Sequence, residues 1–135
     1  MKSIPVVAIG AALGGCVRFG GDLIGAELAL STFPVATFFI NVSGSFLIGY
    51  LAGIWSQDGR LRVDPNRWHF WVTGFCGGFT TFSTYVWQIL EMLRMGEGQA
   101  AGLYAAASVG FGLMAVWLGL SLSVAKRNRM DQTAN

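Results

Sequence analysis

Long apolar runs alternate with short polar breaks along the chain. The runs lie at about residues 4–21, 33–55, 68–93 and 99–125. Each is close to the roughly 20 residues that a helix needs to cross the hydrocarbon core of a bilayer. The breaks comprise a loop at residues 56–67, a turn at 94–98 and a basic segment at 126–129. The pattern predicts an all-α membrane protein in which residues 1–135 form one domain of four transmembrane helices.

The composition favours a lipid bilayer over water as the surroundings of this chain. Hydrophobic residues make up 53% of the 135 residues, and charged residues make up 12%, about half the usual share in a soluble domain. So few charged side chains could not cover a soluble globule of this size. The composition therefore excludes a secreted disulfide scaffold, a nucleic-acid-binding module and a disordered tail.

The basic residues are divided unequally between the two ends of the predicted spans. With four spans, both termini and the loop between the second and third spans lie on one side of the membrane. Seven of the nine Lys and Arg residues fall on that side, and only Arg18 and Arg94 fall on the other. By the positive-inside rule, this distribution predicts that both termini lie in the cytoplasm.

Small residues recur at four-residue steps, which places them on one stripe of a helix. Span two carries Asn41, Ser45, Gly49 and Gly53 in this way. We expect the glycines, including Gly102 and Gly110 in span four, to pack against neighbouring helices, since close packing drives helix association in lipid. Asn41 differs, because an amide inside a span is costly without a partner. Its position fits an ion pathway and an interhelical hydrogen bond equally well.

The first span carries Gly10, Gly14, Arg18 and Asp22 at the same spacing. Arg18 and Asp22 lie near the end of this span, where a long side chain can reach the membrane surface. They fit an interfacial anchor with an ion-paired partner one turn away. The alternative is a vestibule that attracts ions.

The most informative stretch is residues 74–85, Gly-Phe-Cys-Gly-Gly-Phe-Thr-Thr-Phe-Ser-Thr-Tyr, in the middle of the third span. Two adjacent glycines followed by two β-branched threonines make a poor helix interior. The pattern predicts that the third helix is broken near the bilayer midplane. Such a break is tolerated where it is buried in protein or lines an aqueous cavity or ion site. The alternative is a glycine-kinked helix with aromatic packing.

A break at this depth would gather groups that can bind ions. Freed backbone carbonyl oxygens suit a small cation, and hydroxyl groups can donate hydrogen bonds to an anion. The hydroxyls nearby belong to Thr80, Thr81, Ser83 and Thr84. The ring edges of Phe82 and Tyr85 would present the positive rim of the aromatic quadrupole. No Asp, Glu or Lys lies in the central part of any span, which favours passive conduction of an uncharged solute or a small anion over proton-coupled exchange.

The stretch at residues 74–84, together with Asn41 and the Gly-x-x-x-Arg that ends at Arg18, closely resembles the Fluc (CrcB) family of fluoride channels. The resemblance covers nearly the whole chain. It implies an antiparallel homodimer of dual topology, with two fluoride pores and one structural sodium ion on the two-fold axis. The implied function is a passive, fluoride-selective channel in the bacterial inner membrane that exports cytoplasmic fluoride.

The resemblance also implies roles for individual residues. The backbone carbonyls of Gly77 and Thr80 match the sodium ligands, and Arg18 matches the vestibule arginine. The implied fluoride pathway consists of Asn41, Phe82, Ser83, Thr84, Tyr85, Tyr104 and Ser108. Two positions depart from the family pattern: Tyr85 stands where phenylalanine is usual, and Gly112 stands where a hydroxyl residue often continues the polar track on span four.

Two other functions fit a small polytopic chain. A dual-topology multidrug exporter would need a carboxylate midway through span one, and residues 4–17 contain none. A non-transporting membrane assembly subunit is the other. Catalysis is not expected, because the lone His69 has no nucleophile or metal ligand at suitable spacing. The unequal distribution of Lys and Arg between the two sides of the membrane argues against dual topology. We nevertheless give the family signature more weight.

Overall fold

Helices form nearly all of the structure, a computed structural model that describes residues 3–27, 34–57, 60–61 and 63–133. In chain order the helices are α1 (Ser3–Glu27), α2 (Val35–Trp55), α3 (Pro65–Trp68), a π-helix (His69–Cys76), α4 (Gly77–Phe79), α5 (Phe82–Arg94) and α6 (Gly98–Thr133). Between α2 and α3, strands β1 (Ser56–Gln57) and β2 (Arg60–Leu61) form a small antiparallel hairpin. The predicted all-α membrane fold is confirmed in its helical character.

Within the described residues, three helices are long and apolar enough to cross a membrane, namely α1, α2 and α6. The chain is therefore a multi-pass membrane protein. The third predicted span differs because it is built from successive pieces, α3, the π-helix, α4 and α5. Helices α1 and α6 also extend beyond the predicted ends at residues 21 and 125, because a helix need not end where the hydrocarbon ends.

Glycines bring α2 and α6 into close contact. Gly49 of α2 lies against the carbonyl of Val116, and Gly119 of α6 lies against the carbonyl of Phe46. A Cβ atom at either glycine would overlap these backbone atoms. Gly53 is packed against α6 as well, but it meets the side chains of Ser123 and Leu120 rather than the backbone. The predicted packing role of Gly49 and Gly53 is confirmed, and this close approach supplies the contact that lipid does not drive.

Helix α1 packs by the same means against the first half of the third span. Gly10 and Gly14 lie against the carbonyls of Phe70 and Phe75 in the π-helix, and Gly78 of α4 lies against the backbone of α1. The second half, α5, packs on α6 instead. The break between α4 and α5 therefore falls where the chain passes from one packing partner to another.

The prediction that Gly102 and Gly110 pack against neighbouring helices is wrong within this chain. Among the described residues, no atom lies within 4 Å of a Cβ built at either position. Both glycines are exposed on the outer side of α6, as are Leu103 and Leu113. Only the side of α6 that carries Gly119 approaches α2 closely, so small size alone did not identify the packed face.

This difference gives a matched pair of substitutions on one helix. We expect Gly119→Ala to lower the free energy of unfolding by about 1–3 kcal/mol, because the added methyl overlaps the backbone of α2. Gly110→Ala should stay within about 1 kcal/mol of the parent, since its surroundings are open and alanine favours the helix. Unfolding of the two variants in mixed detergent micelles measures both values. Equal losses would contradict the assignment of the packed face.

Candidate functional site

The third span is interrupted at Thr80 and Thr81. Thr80 has φ −82° and ψ 157°, and Thr81 has φ −145° and ψ 120°, so both residues are extended. Helix α4 ends directly before them and α5 begins directly after. The predicted break is confirmed at the two β-branched residues. A glycine-kinked but continuous helix is excluded.

The side-chain amide of Asn41, on α2, holds this break. Asn41 Nδ2 donates to the carbonyl oxygen of Thr81 at 2.9 Å, and the Thr81 amide donates to Asn41 Oδ1 at 2.8 Å. One side chain thus satisfies both polar groups of an extended residue inside a membrane span. Of the two interpretations open for Asn41, the interhelical hydrogen bond is observed.

The end of α4 leaves the Gly77 carbonyl without its usual helical donor. In an uninterrupted helix the Thr81 amide would donate to the carbonyl of Gly77, but here it donates to Asn41. Gly77 is exposed, and the space beside it is open within the described chain. Thr80 turns out of the helix, while its amide and hydroxyl both donate to the Cys76 carbonyl, at 2.9 and 2.8 Å. The carbonyls of Gly77 and Thr80 therefore fit a cation site made of backbone oxygens.

The start of α5 presents backbone amides rather than carbonyl oxygens. Thr81 caps this helix, because its Oγ1 accepts a hydrogen bond from the Thr84 amide at 3.2 Å. The same oxygen lies 3.0 Å from Thr84 Oγ1 and 3.2 Å from Ser83 Oγ. The first turn of a helix carries partial positive charge on its amides and favours an anion nearby. The broken span thus places the carbonyl end of one helix beside the amide end of the next.

A pocket of about 260 Å³ lies at the break. It is lined by Asn41, Ser45, Ile48, Thr80, Thr81, Phe82, Tyr85, Ser108 and Val109. The structure therefore brings together several residues that the sequence assigned to ion binding. The pocket lining does not include the predicted site residues Arg18, Gly77, Ser83, Thr84 and Tyr104.

Two aromatic rings stand at the start of α5. Phe82 is 77% exposed, and its ring centroid lies 5.8 Å from that of Tyr85 at an interplanar angle of 40°. The Tyr85 hydroxyl donates to the Ala105 carbonyl of α6 at 3.2 Å. The Tyr85 hydroxyl is therefore engaged by a helix backbone.

Ser108 and Tyr104 lie on the side of α6 that faces α5. Ser108 Oγ is buried and has no partner in hydrogen-bonding geometry among the described residues. The polar group beside it is the Tyr104 hydroxyl, which interacts with the Ser108 side chain. Tyr104 is fully buried and lies behind the pocket, with its ring 5.4 Å from that of Tyr85.

Tyr104 belongs to a chain of hydrogen bonds with two polar residues, Gln88 and Thr37, that were not predicted from the sequence. Its hydroxyl donates to Gln88 Oε1 at 2.8 Å, and Gln88 Nε2 donates to Thr37 Oγ1 at 2.8 Å. Gln88 carried a usable signal: it is an amide inside the third span, and the cost argument made for Asn41 applies to it equally. No such signal marked Thr37, because a threonine hydroxyl can donate to a carbonyl of its own helix.

Arg18 lies apart from this pocket. Its Nη1 is 3.2 Å from Asp22 Oδ2, and both side chains are about one-third exposed. This pair agrees with the interfacial anchor and one-turn partner proposed from the spacing. The vestibule role of Arg18 stays a prediction.

Comparison with known proteins identifies similar chains. Residues 5–120 match the family model described as CrcB-like protein, Camphor Resistance (CrcB). A protein of Paramagnetospirillum magneticum named fluoride-specific ion channel FluC is 46% identical over 120 residues, which cover 88% of this chain and 93% of that protein. The protein of the same name from Methylocella silvestris is 46% identical, over 88% of this chain and 91% of its own. Fluoride-specific ion channel FluC 1 of Rhodopseudomonas palustris is 42% identical, over 95% of this chain and 90% of that protein.

The role of Asn41 in holding the break can be tested by stability. Asn41→Ala leaves both polar groups of Thr81 without this partner, so we expect the free energy of unfolding to fall by about 1–3 kcal/mol. Ser43→Ala serves as a control on the same helix, because Ser43 Oγ donates to the Ile40 carbonyl of its own helix. Its effect should stay below about 0.5 kcal/mol. Equal stability of the two variants would show that Asn41 does not hold the break.

Proposed function

The chain belongs to the CrcB family, and we propose that it is a passive fluoride-selective channel that exports fluoride from the cytoplasm across the bacterial inner membrane. The observation that carries this proposal is the break at Thr80 and Thr81, where the positive end of α5 adjoins a pocket lined by hydroxyl groups and aromatic rings. The names of the relatives support it, since they are fluoride channels rather than enzymes. They also support the prediction that this chain has no catalytic site.

Conduction would proceed by replacing the hydration shell of the anion with neutral groups. The proposed pathway uses Asn41, Phe82, Ser83, Thr84, Tyr85, Tyr104 and Ser108, with Arg18 in an outer vestibule. The amides at the start of α5 carry partial positive charge, and ring edges add to it. Because none of the pocket-lining side chains is charged, the anion is attracted without being held too tightly to leave.

We propose further that two copies associate head to tail around one sodium ion. Each chain would supply the backbone carbonyls of Gly77 and Thr80, and a second copy would complete the ligand set. When bound, the ion would neutralise the negative ends of the two α4 helices and fix the copies together. The high exposure of Gly77 and Phe82 at the broken span supports a partner surface there. Such a dimer requires insertion in both orientations.

The other candidate functions receive less support. Proton-coupled multidrug export needs a membrane carboxylate, and the central parts of the spans contain none. A non-transporting assembly subunit would have no use for a hydroxyl-lined pocket at a broken helix. The relatives named as channels also argue against both.

Fluoride efflux from liposomes tests the channel function. Purified protein should release fluoride rapidly when the membrane potential is dissipated, and should release chloride far more slowly, as measured with ion-selective electrodes. Asn41→Asp should reduce fluoride efflux at least about tenfold, because a carboxylate repels the anion and cannot donate to the Thr81 carbonyl. Ser43→Ala should conduct as the parent does. Fluoride efflux no faster than that of empty liposomes would disprove the proposed function.

Exchange of sodium tests the proposed cation site. Purification with N-methylglucamine as the only cation should reduce both the dimer fraction, read by cross-linking, and fluoride efflux, and added sodium should restore both. The large organic cation cannot enter a site made of backbone carbonyls. Unchanged dimer and unchanged efflux in thoroughly sodium-free buffer would contradict the cation site while leaving the channel function standing.

A further inference from the structure

Helix α6 is longer than the membrane it crosses. Its 36 residues span about 54 Å at 1.5 Å per residue, whereas the hydrocarbon core is about 30 Å thick. The part suited to lipid ends at Lys126. Near this end, Ser123 packs against Gly53 of α2, and α2 itself ends two residues later at Trp55. The next turns of α6 therefore lie at the membrane surface without α2 beside them.

A cavity of about 310 Å³ lies on this part of α6. Among the described residues it is lined by Leu122, Ala125, Lys126 and Arg129, a spacing that places all four on one helix face. The apolar pair comes first along the helix and the basic pair follows. Leu122 is 49% exposed, and both basic residues are exposed. Among the described residues, no carboxylate lies within ion-pairing distance of Lys126.

We propose that this face binds one anionic glycerophospholipid. The headgroup phosphate would lie between Lys126 and Arg129, and an acyl chain would lie along Leu122 and Ala125. The order of apolar and basic residues along α6 matches the order of acyl chain and phosphate in a lipid leaflet. Charge complementarity selects an anionic lipid, since basic residues at a membrane surface attract anionic headgroups. The proposal does not depend on the ion that the protein conducts.

Native mass spectrometry of the full-length protein tests this site. The protein, purified in detergent, is titrated with dioleoylphosphatidylglycerol or with dioleoylphosphatidylcholine. We expect the anionic lipid to bind at least about tenfold more tightly, and the double variant Lys126→Gln/Arg129→Gln to lose most of that preference. Lys126→Arg should retain it. Arg67→Gln is the matched control, because Arg67 is an exposed basic residue on the same predicted side that does not line the cavity.

Each alternative outcome overturns the proposal. Equal affinity for the two lipids would remove the role of headgroup charge. A loss with Arg67→Gln as large as that of the double variant would indicate diffuse attraction rather than a site on α6. Complete competition by 10 mM inorganic phosphate would identify a site for a free anion instead of a lipid. Binding of the zwitterionic lipid and the elution volume in gel filtration verify that each variant is folded.

Discussion

A backbone that leaves its helix inside a bilayer must find partners for its polar groups, because lipid provides none. Here a single amide provides them. Asn41 accepts a hydrogen bond from the Thr81 amide and donates one to the Thr81 carbonyl, so an extended residue is tolerated at a depth where it would otherwise be costly. The rest of the site depends on this pair, since without it both polar groups of Thr81 would lack this partner. The carbonyl end of α4 and the start of α5 both border the residue that this pair holds.

The same break brings two helix ends of opposite partial charge within a few residues of each other, the end of α4 and the start of α5. The carbonyl end of α4 suits a cation, and the amide end of α5 suits an anion. No ionisable side chain is needed for either, which explains how a chain with 12% charged residues can present ion-binding groups inside a membrane. Packing supports this arrangement from both sides. Glycines of α1 hold the first half of the span, while α6 holds the second half.

The sequence was sufficient for the features that depend on local chemistry. Adjacent glycines followed by Thr80 and Thr81 predicted the break, and regular small residues predicted that Gly49 and Gly53 pack against a neighbouring helix. The sequence did not show which residues are hydrogen-bonded when they lie far apart along the chain. Asn41 and Thr81 are 40 residues apart, and Gln88 and Thr37 are 51 apart, so only the folded chain shows that these residues are hydrogen-bonded to each other. The π-helix at His69–Cys76 was missed for a similar reason, because such a turn depends on packing and has no strong composition signal. The opposite faces of α6 explain the wrong expectation for Gly102 and Gly110.

Solid-state NMR of the protein in lipid bilayers, labelled with ¹³C and ¹⁵N at asparagine and threonine, examines the pair of Asn41 and Thr81 without any substitution. We expect extended-backbone carbon shifts for Thr80 and Thr81, together with a through-space correlation between the Asn41 side-chain nitrogen and the Thr81 carbonyl carbon. Helical shifts at both threonines, with no such correlation, would show that the third span is continuous. Such a result would show that Asn41 does not hold an extended segment in this span.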